Sequence, residues 1–155
     1  MDKPIPSHTL MRTYLQEVTL GGNLSLIDEL ALPDVVDEAN LAFGGPVGRA
    51  GLVQHVKGFR RHITNLKLNI HRIVGNESDV MAWWSFRGVH SGPWLGRPAT
   101  GEPIDGDVFS FFTLREGRIA RYRLWLHANF KEPVVFDSTS ALKAYGRAID
   151  PVHEP

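Results

Sequence analysis

The stretch 104–130, IDGDVFSFFTLREGRIARYRLWLHANF, alternates apolar and polar residues on either side of a tight Arg115-Glu116-Gly117 connection. Alternation with a period of two puts successive side chains on opposite faces, so two antiparallel strands, Ile104 to Leu114 and Ile119 to Phe130, are predicted here. Upstream, Val80 to Val89 reads as another strand. In a fourth, Leu66, Leu68 and Ile70 alternate with Lys67, Asn69 and His71, and Asn76 to Ser78 supplies the turn. Before Asn65 the period becomes helical. Leu10, Met11, Tyr14, Leu15 and Val18 follow Ser7 as a cap and stop at Gly21-Gly22, and Leu24 to Ala31 forms a shorter helix ended before Pro33. Val35 and Val36 are briefly extended, and Asp37 to Gly48 reads as a loop. A third helix, Arg49 to Thr64, carries Leu52, Val53, Val56, Phe59 and Ile63 on one side and His55, Lys57, Arg60 and Arg61 on the other. A short helix near Ser138 to Ala148 is expected last, with Asp137 and Ser138 as capping residues and Leu142, Tyr145 and Ile149 on one face. Three helices before a four-stranded meander give an α+β order rather than βαβ winding: a curled, mostly antiparallel sheet with the helices on its concave face.

A length of 155 residues is that of one domain, here 1–150 with a frayed tail at 151–155. Lys+Arg 17 against Asp+Glu 17 leaves no net charge to attract a polyanion, so nucleic acid is not an expected partner. With no cysteine there is no disulfide, thiol nucleophile or thiolate metal site, which fits a reducing compartment and, as an expectation, the cytoplasm. No apolar run approaches the roughly 20 residues of a membrane-spanning helix, and the start MDKPIPSHTL has neither the basic nor the apolar region of an export signal.

The segment 90–101, HSGPWLGRPATG, contains H-x-G and G-x-P-x-T, and a strand separates it from REGRIARYRLW at 115–125. Upstream lie Tyr14 in the first helix, LPDVVDE at 32–38 and GGPVGRAGL at 44–52. Together these pieces resemble the SnoaL-like polyketide cyclases of the nuclear transport factor 2-like superfamily. The resemblance implies a cone-shaped barrel with a deep pocket, frequently a homodimer formed through the outer sheet face, and no cofactor. Cyclases of that kind carry a His on the third strand and an Asp on the last as an acid/base pair for aldol closure. Ser110 and Leu124 stand at those positions here, so that activity does not carry over.

On the last strand Tyr122, Leu124 and Leu126 share the more apolar face, which is also the face on which the family register puts its acid; Arg123, Trp125 and His127 share the other. The matching set on the preceding strand is Val108, Ser110 and Phe112. Trp84 and Phe86 on the strand before and His90 in the H-x-G turn after it, with Trp94 as a lid, complete the substrate-binding candidates for a flat hydrophobic ligand. The related ketosteroid isomerases set a helix-one Tyr opposite a carboxylate that follows the second helix. Tyr14 and either Asp37 or Glu38 occupy comparable places and are the catalytic candidates: the carboxylate would remove a proton next to a carbonyl and the phenol would hydrogen-bond the enolate. Each has a structural alternative. Tyr14 can simply pack, Asp37 and Glu38 can be solvated loop acids, Ser110 can bond to backbone, His90 can hold its turn, and the aromatic residues can be core and dimer interface.

The seven histidines lie on different elements without metal-ligand spacing, and serine-hydrolase, phosphate-loop and dinucleotide fingerprints are missing. The expected function is a cofactor-independent enzyme of secondary metabolism. It would act on a hydrophobic, polycyclic carbonyl compound as a cyclase, isomerase or dehydratase. The alternatives are a hydroxylase or epoxide-opening enzyme on similar polycycles, and a non-catalytic ligand-binding accessory protein, which Leu124 favours.

Overall fold

In a computed structural model that describes residues 5–149, and so leaves the tail outside, the first helix has the expected span but is less regular than its period suggests. Helix α1 (Ser7–Thr13) runs without a break into a wider π-helical stretch, Tyr14–Leu20, and the chain leaves it through Gly22 at φ 74°. Pro6 precedes it in extended conformation and no side chain caps it, so Ser7 is its first residue and not its cap. A 3₁₀ turn, Leu24–Leu26, and α2 (Ile27–Leu30) lead into β1 (Ala31–Asp37), which takes in Pro33 as well as Val35 and Val36.

The segment expected as a loop after Asp37 begins with a helix, α3 (Glu38–Ala42). Asp37 is its N-cap, its Oδ1 accepting from the Asn40 backbone N–H at 3.2 Å. Next comes α4 (Arg49–His62). It ends two residues earlier than its apolar stripe suggests, because Ile63 already belongs to β2 (Ile63–Gly75). The remainder are β3 (Asp79–His90), β4 (Pro103–Arg115), β5 (Arg118–Ala128), β6 (Val134–Asp137) and α5 (Ser138–Ile149). Glu116 and Gly117, at φ 56° and 72°, close the β4–β5 hairpin in two residues, a geometry whose twist matches that of the flanking strands.

The expected meander is present as β2-β3-β4-β5, but among the described residues the sheet has six strands. Two short strands share the free edge of β5. β1 runs parallel to its first half, with Ala31 opposite Ile119 and Asp37 opposite Tyr122; β6 runs antiparallel to its second half, from Trp125 to Ala128. The curled sheet stays unclosed. Its inner face buries Val80, Ala82, Val108, Phe112, Tyr122 and Leu126 against Leu10, Met11, Leu15, Leu52 and Val56 of the helices. Two arginines fix α4: Arg49 donates to the Ala31 carbonyl at 3.0 and 2.9 Å, and Arg60 donates to the Thr19 and Leu20 carbonyls left open at the end of the first helix.

The outer face keeps an aromatic row half-exposed. Trp83 stacks on Phe109 with centroids 6.2 Å apart, and Phe109 meets the edge of Trp125 at 5.7 Å. Among the described residues no helix is long and apolar enough to cross a membrane.

Candidate active site

Helix α4, the π-helical stretch, α3 and the inner sheet face enclose a cavity of ≈ 390 Å³, and the loop carrying Trp94, Leu95 and Gly96 borders it. Helix geometry decides what α4 contributes. His55 lies three residues after Leu52 and four before Phe59, and His62 three beyond Phe59, so both histidines share the apolar stripe. The assignment of His55 to the polar side of this helix is therefore corrected: its ring lines the cavity beside Phe59 and His62 and stacks on Tyr122, with centroids 5.8 Å apart and planes at 23°.

Its partner comes from the end of β1. The parallel register sets Asp37 opposite Tyr122, and from there Asp37 Oδ2 lies 2.7 Å from His55 Nδ1 while Oδ1 caps α3. Asp37 is buried. Burial works against charging the imidazole, but the charge of Asp37 and the hydrogen bond to it outweigh that, and the His55 pKa is raised.

Glu38, the other acidic candidate, lies elsewhere. Its Oε2 accepts from Arg121 Nε at 2.8 Å, and its Oε1 accepts from Ser138 at 3.0 Å and Thr139 at 2.6 Å. The carboxylate is almost wholly buried, fully partnered and not part of the cavity wall.

Tyr14 does border the cavity, edge-on to Phe112 at 5.2 Å and to Tyr122 at 6.1 Å, and its hydroxyl is buried without a hydrogen-bond partner. Burial first, then the nearby Tyr122 and Asp37, push its pKa well up. Trp84, Trp94, Val108, Tyr122, Leu124 and Leu126 also line the space; Phe86, Ser110, Phe112 and His90 are buried outside that lining. Ser110 Oγ is bonded to side chains and not to backbone: it accepts from Trp84 Nε1 at 2.9 Å and lies 2.8 Å from the Tyr122 hydroxyl. Leu124 presents only hydrocarbon.

His90 Nδ1 bonds Thr100 Oγ1 at 3.2 Å and its ring meets the edge of Phe130 at 5.2 Å, which accounts for the first His and last Thr of the quoted loop. The Gly of H-x-G is steric: a Cβ at Gly92 would lie 2.4 Å from His62 Nδ1. The His62 pKa is lowered by burial, then by Arg61 and His90. Among the described residues no three His, Asp or Glu side chains converge as metal ligands.

Sequence reasoning missed His55, Phe59 and His62 at the cavity, and also Phe43 and Phe136, which stack at its α3 side with centroids 5.5 Å apart. The α4 residues could have been found by counting from Leu52. The Phe43–Phe136 pair joins two segments that the sequence leaves unconnected.

The family model for SnoaL-like polyketide cyclase matches residues 9–128. The chain is similar in structure to TsrD from Streptomyces laurentii, at 20% identity over 77% of this chain and 86% of that one, with TM-score 0.68. It is similar also to a SnoaL-like polyketide cyclase from Agrobacterium tumefaciens, at 15% identity over 79% and 90% of the two chains, with TM-score 0.64. An NTF2-like protein from Anabaena variabilis aligns at 17% identity over 77% and 85%, with TM-score 0.59. At these identities the structures share the fold. No curated protein sequence matches the chain.

Proposed function

Because this chain belongs to the SnoaL-like polyketide cyclase family, we propose that it is a cofactor-independent enzyme of secondary metabolism that moves a proton on a hydrophobic, polycyclic carbonyl compound. The observation that carries the reading is His55, which lines a mostly hydrocarbon cavity and is held from behind by the buried Asp37 carboxylate. A carboxylate only accepts, so the His55 Nδ1 carries the shared proton, and the neutral ring keeps its lone pair on Nε2, away from Asp37. That nitrogen takes a proton from the carbon next to a carbonyl, Asp37 steadies the resulting imidazolium, and the Tyr14 hydroxyl stands ready for the developing oxyanion. The same imidazolium can return the proton at another atom, which serves isomerisation, dehydration or ring closure alike. The pair does the work that Ser110 and Leu124 cannot, and it weighs against a purely accessory role.

Planar polycyclic ketones and quinones, screened by quenching of tryptophan fluorescence and then followed for turnover, test the proposal. The working base is neutral His55, whose pKa is raised above the ordinary 6.5. Turnover at low substrate is therefore expected to rise with pH along a one-proton limb with its midpoint above that value. Asp37→Asn removes the feature that raises it and leaves burial, so the limb moves to lower pH as its plateau falls. A flat profile, or a limb that Asp37→Asn leaves in place, would refute the assignment.

We also propose a homodimer through the outer sheet face, supported by the half-exposed row Trp83, Phe109 and Trp125. Light scattering at tens of micromolar is expected to return twice the 17.3 kDa chain mass, and Phe109→Glu to return one. A wild-type monomer would reject the dimer without touching the catalytic reading.

A further inference from the structure

Three buried hydroxyl or indole groups near the cavity form a chain whose donors can be counted. The Trp84 indole N–H can only donate, so at 2.9 Å it gives its proton to Ser110 Oγ. Ser110 is completely buried, and its own proton has one acceptor in reach, the Tyr122 hydroxyl at 2.8 Å. If Tyr122 donated to Ser110 instead, the serine proton would be stranded in the interior, an arrangement buried polar groups avoid. With Ser110 donating, the Tyr122 proton is left over, and no side chain among the described residues accepts it. Tyr122 itself borders the cavity, beside His55 and edge-on to Tyr14, whose hydroxyl also lacks a partner.

We propose that Tyr122, oriented and polarised by the Trp84–Ser110 chain, is the main hydrogen-bond donor to a ligand oxyanion in this cavity, with Tyr14 as the second, and that its ligands are aromatic or conjugated enols. The proposal rests on the proton-transfer reading of the same cavity. Burial holds both phenols in their protonated, donating form. Each hydrogen bond upstream polarises the next, so Tyr122 donates more strongly than an isolated phenol. When His55 takes the carbon-bound proton, the C–H electron pair becomes the enolate double bond and the carbonyl oxygen becomes the anion that Tyr122 meets. A ligand already ionised at an enolic or phenolic oxygen presents the same charge without any reaction, and so binds by the same contacts. Tyr122 touches that oxygen and is a catalytic residue. Ser110 acts through it and is a positioning residue.

Naphthols of graded acidity are the probes, because naphthol and naphtholate differ in absorption and emission, and naphthalene is the control without oxygen. For wild type, bound naphthol is expected to ionise at lower pH than free naphthol, and affinity for the anion to rise with its basicity. Tyr122→Phe should weaken naphtholate binding by about tenfold to a hundredfold while naphthalene binds as before, which also shows that the variant folds. Ser110→Ala should cost a few-fold and flatten the dependence on probe basicity, an effect that loss of packing alone would not produce. The proposal is overturned if Tyr122→Phe binds naphtholate like wild type, if naphthalene binding falls equally, or if the Ser110→Ala slope is unchanged. Failure of the base assignment would appear separately, as undiminished turnover of a ketone by His55→Gln, with naphtholate binding still dependent on Tyr122.

Discussion

His55→Gln is expected to lower turnover on the order of 10²–10⁴-fold, the range typical for loss of a general acid or base, while the binding of an unreactive polycyclic ligand changes little. The amide nitrogen of glutamine can still donate to Asp37 Oδ2, which keeps the buried carboxylate partnered and the fold intact. It supplies no basic nitrogen. Asp37→Asn should follow closely, because an amide neither holds the proton on Nδ1 nor stabilises the imidazolium, and a wrongly protonated ring loses the lone pair it needs. Glu38→Gln should leave the chemical step unaltered, since the Glu38 carboxylate is bonded to Arg121, Ser138 and Thr139 and stands off the cavity wall. Pre-steady-state or low-substrate rates on one substrate decide among the three. If Glu38→Gln were the variant that lost the rate, the assignment of the base to His55 would be wrong.

The difference between Asp37 and Glu38 marks the boundary of what the sequence can show. Alternation along β4 and β5 was readable because the period of two repeats over 13 and 11 residues, and it places Val108 and Ser110, then Tyr122, Leu124 and Leu126, on the buried face. Two adjacent acids after a short strand carry no such repeat. Which of them reaches the cavity histidine depends on the parallel pairing of β1 with β5, a contact between residues about 85 positions apart in the chain. β6 escaped for the same reason, and of β1 only Val35 and Val36 were legible as extended: each strand is short and pairs along only half of β5. His55 is a different case. The count from Leu52 was available, but a histidine among lysine and arginine neighbours reads as solvated. Only the Asp37 carboxylate arriving from β1 gives it a place inside the stripe.

Arg121→Met is expected to destabilise the protein by about 2–4 kcal/mol, below the top of the range for removing one partner of a buried ion pair, because the Arg121 side chain is itself 37% exposed. The physical problem lies with what remains. Glu38 is only 1% exposed, and without the guanidinium it keeps the two hydroxyl donors of Ser138 and Thr139 but no opposite charge. Those hydroxyls also join two parts of the fold. Between the segment of β5 paired with β1 and the segment paired with β6, the Leu124 backbone N–H faces an interrupted edge, and Ser138 Oγ accepts it at 2.9 Å while donating to Glu38. Glu38 therefore ties the start of α5 to the sheet next to the segment that supplies Asp37. For a chain of this length the loss corresponds to roughly 5–15 °C in Tm. Adding Glu38→Gln should recover part of it, since a neutral amide oxygen still accepts from both hydroxyls without needing a counter-charge. Urea unfolding of wild type, both single variants and the double variant closes the cycle. The decisive result is the sign of the coupling: if the double variant is less stable than Arg121→Met alone, Glu38 is not the group that Arg121 neutralises, and the anchoring of α5 must come from elsewhere.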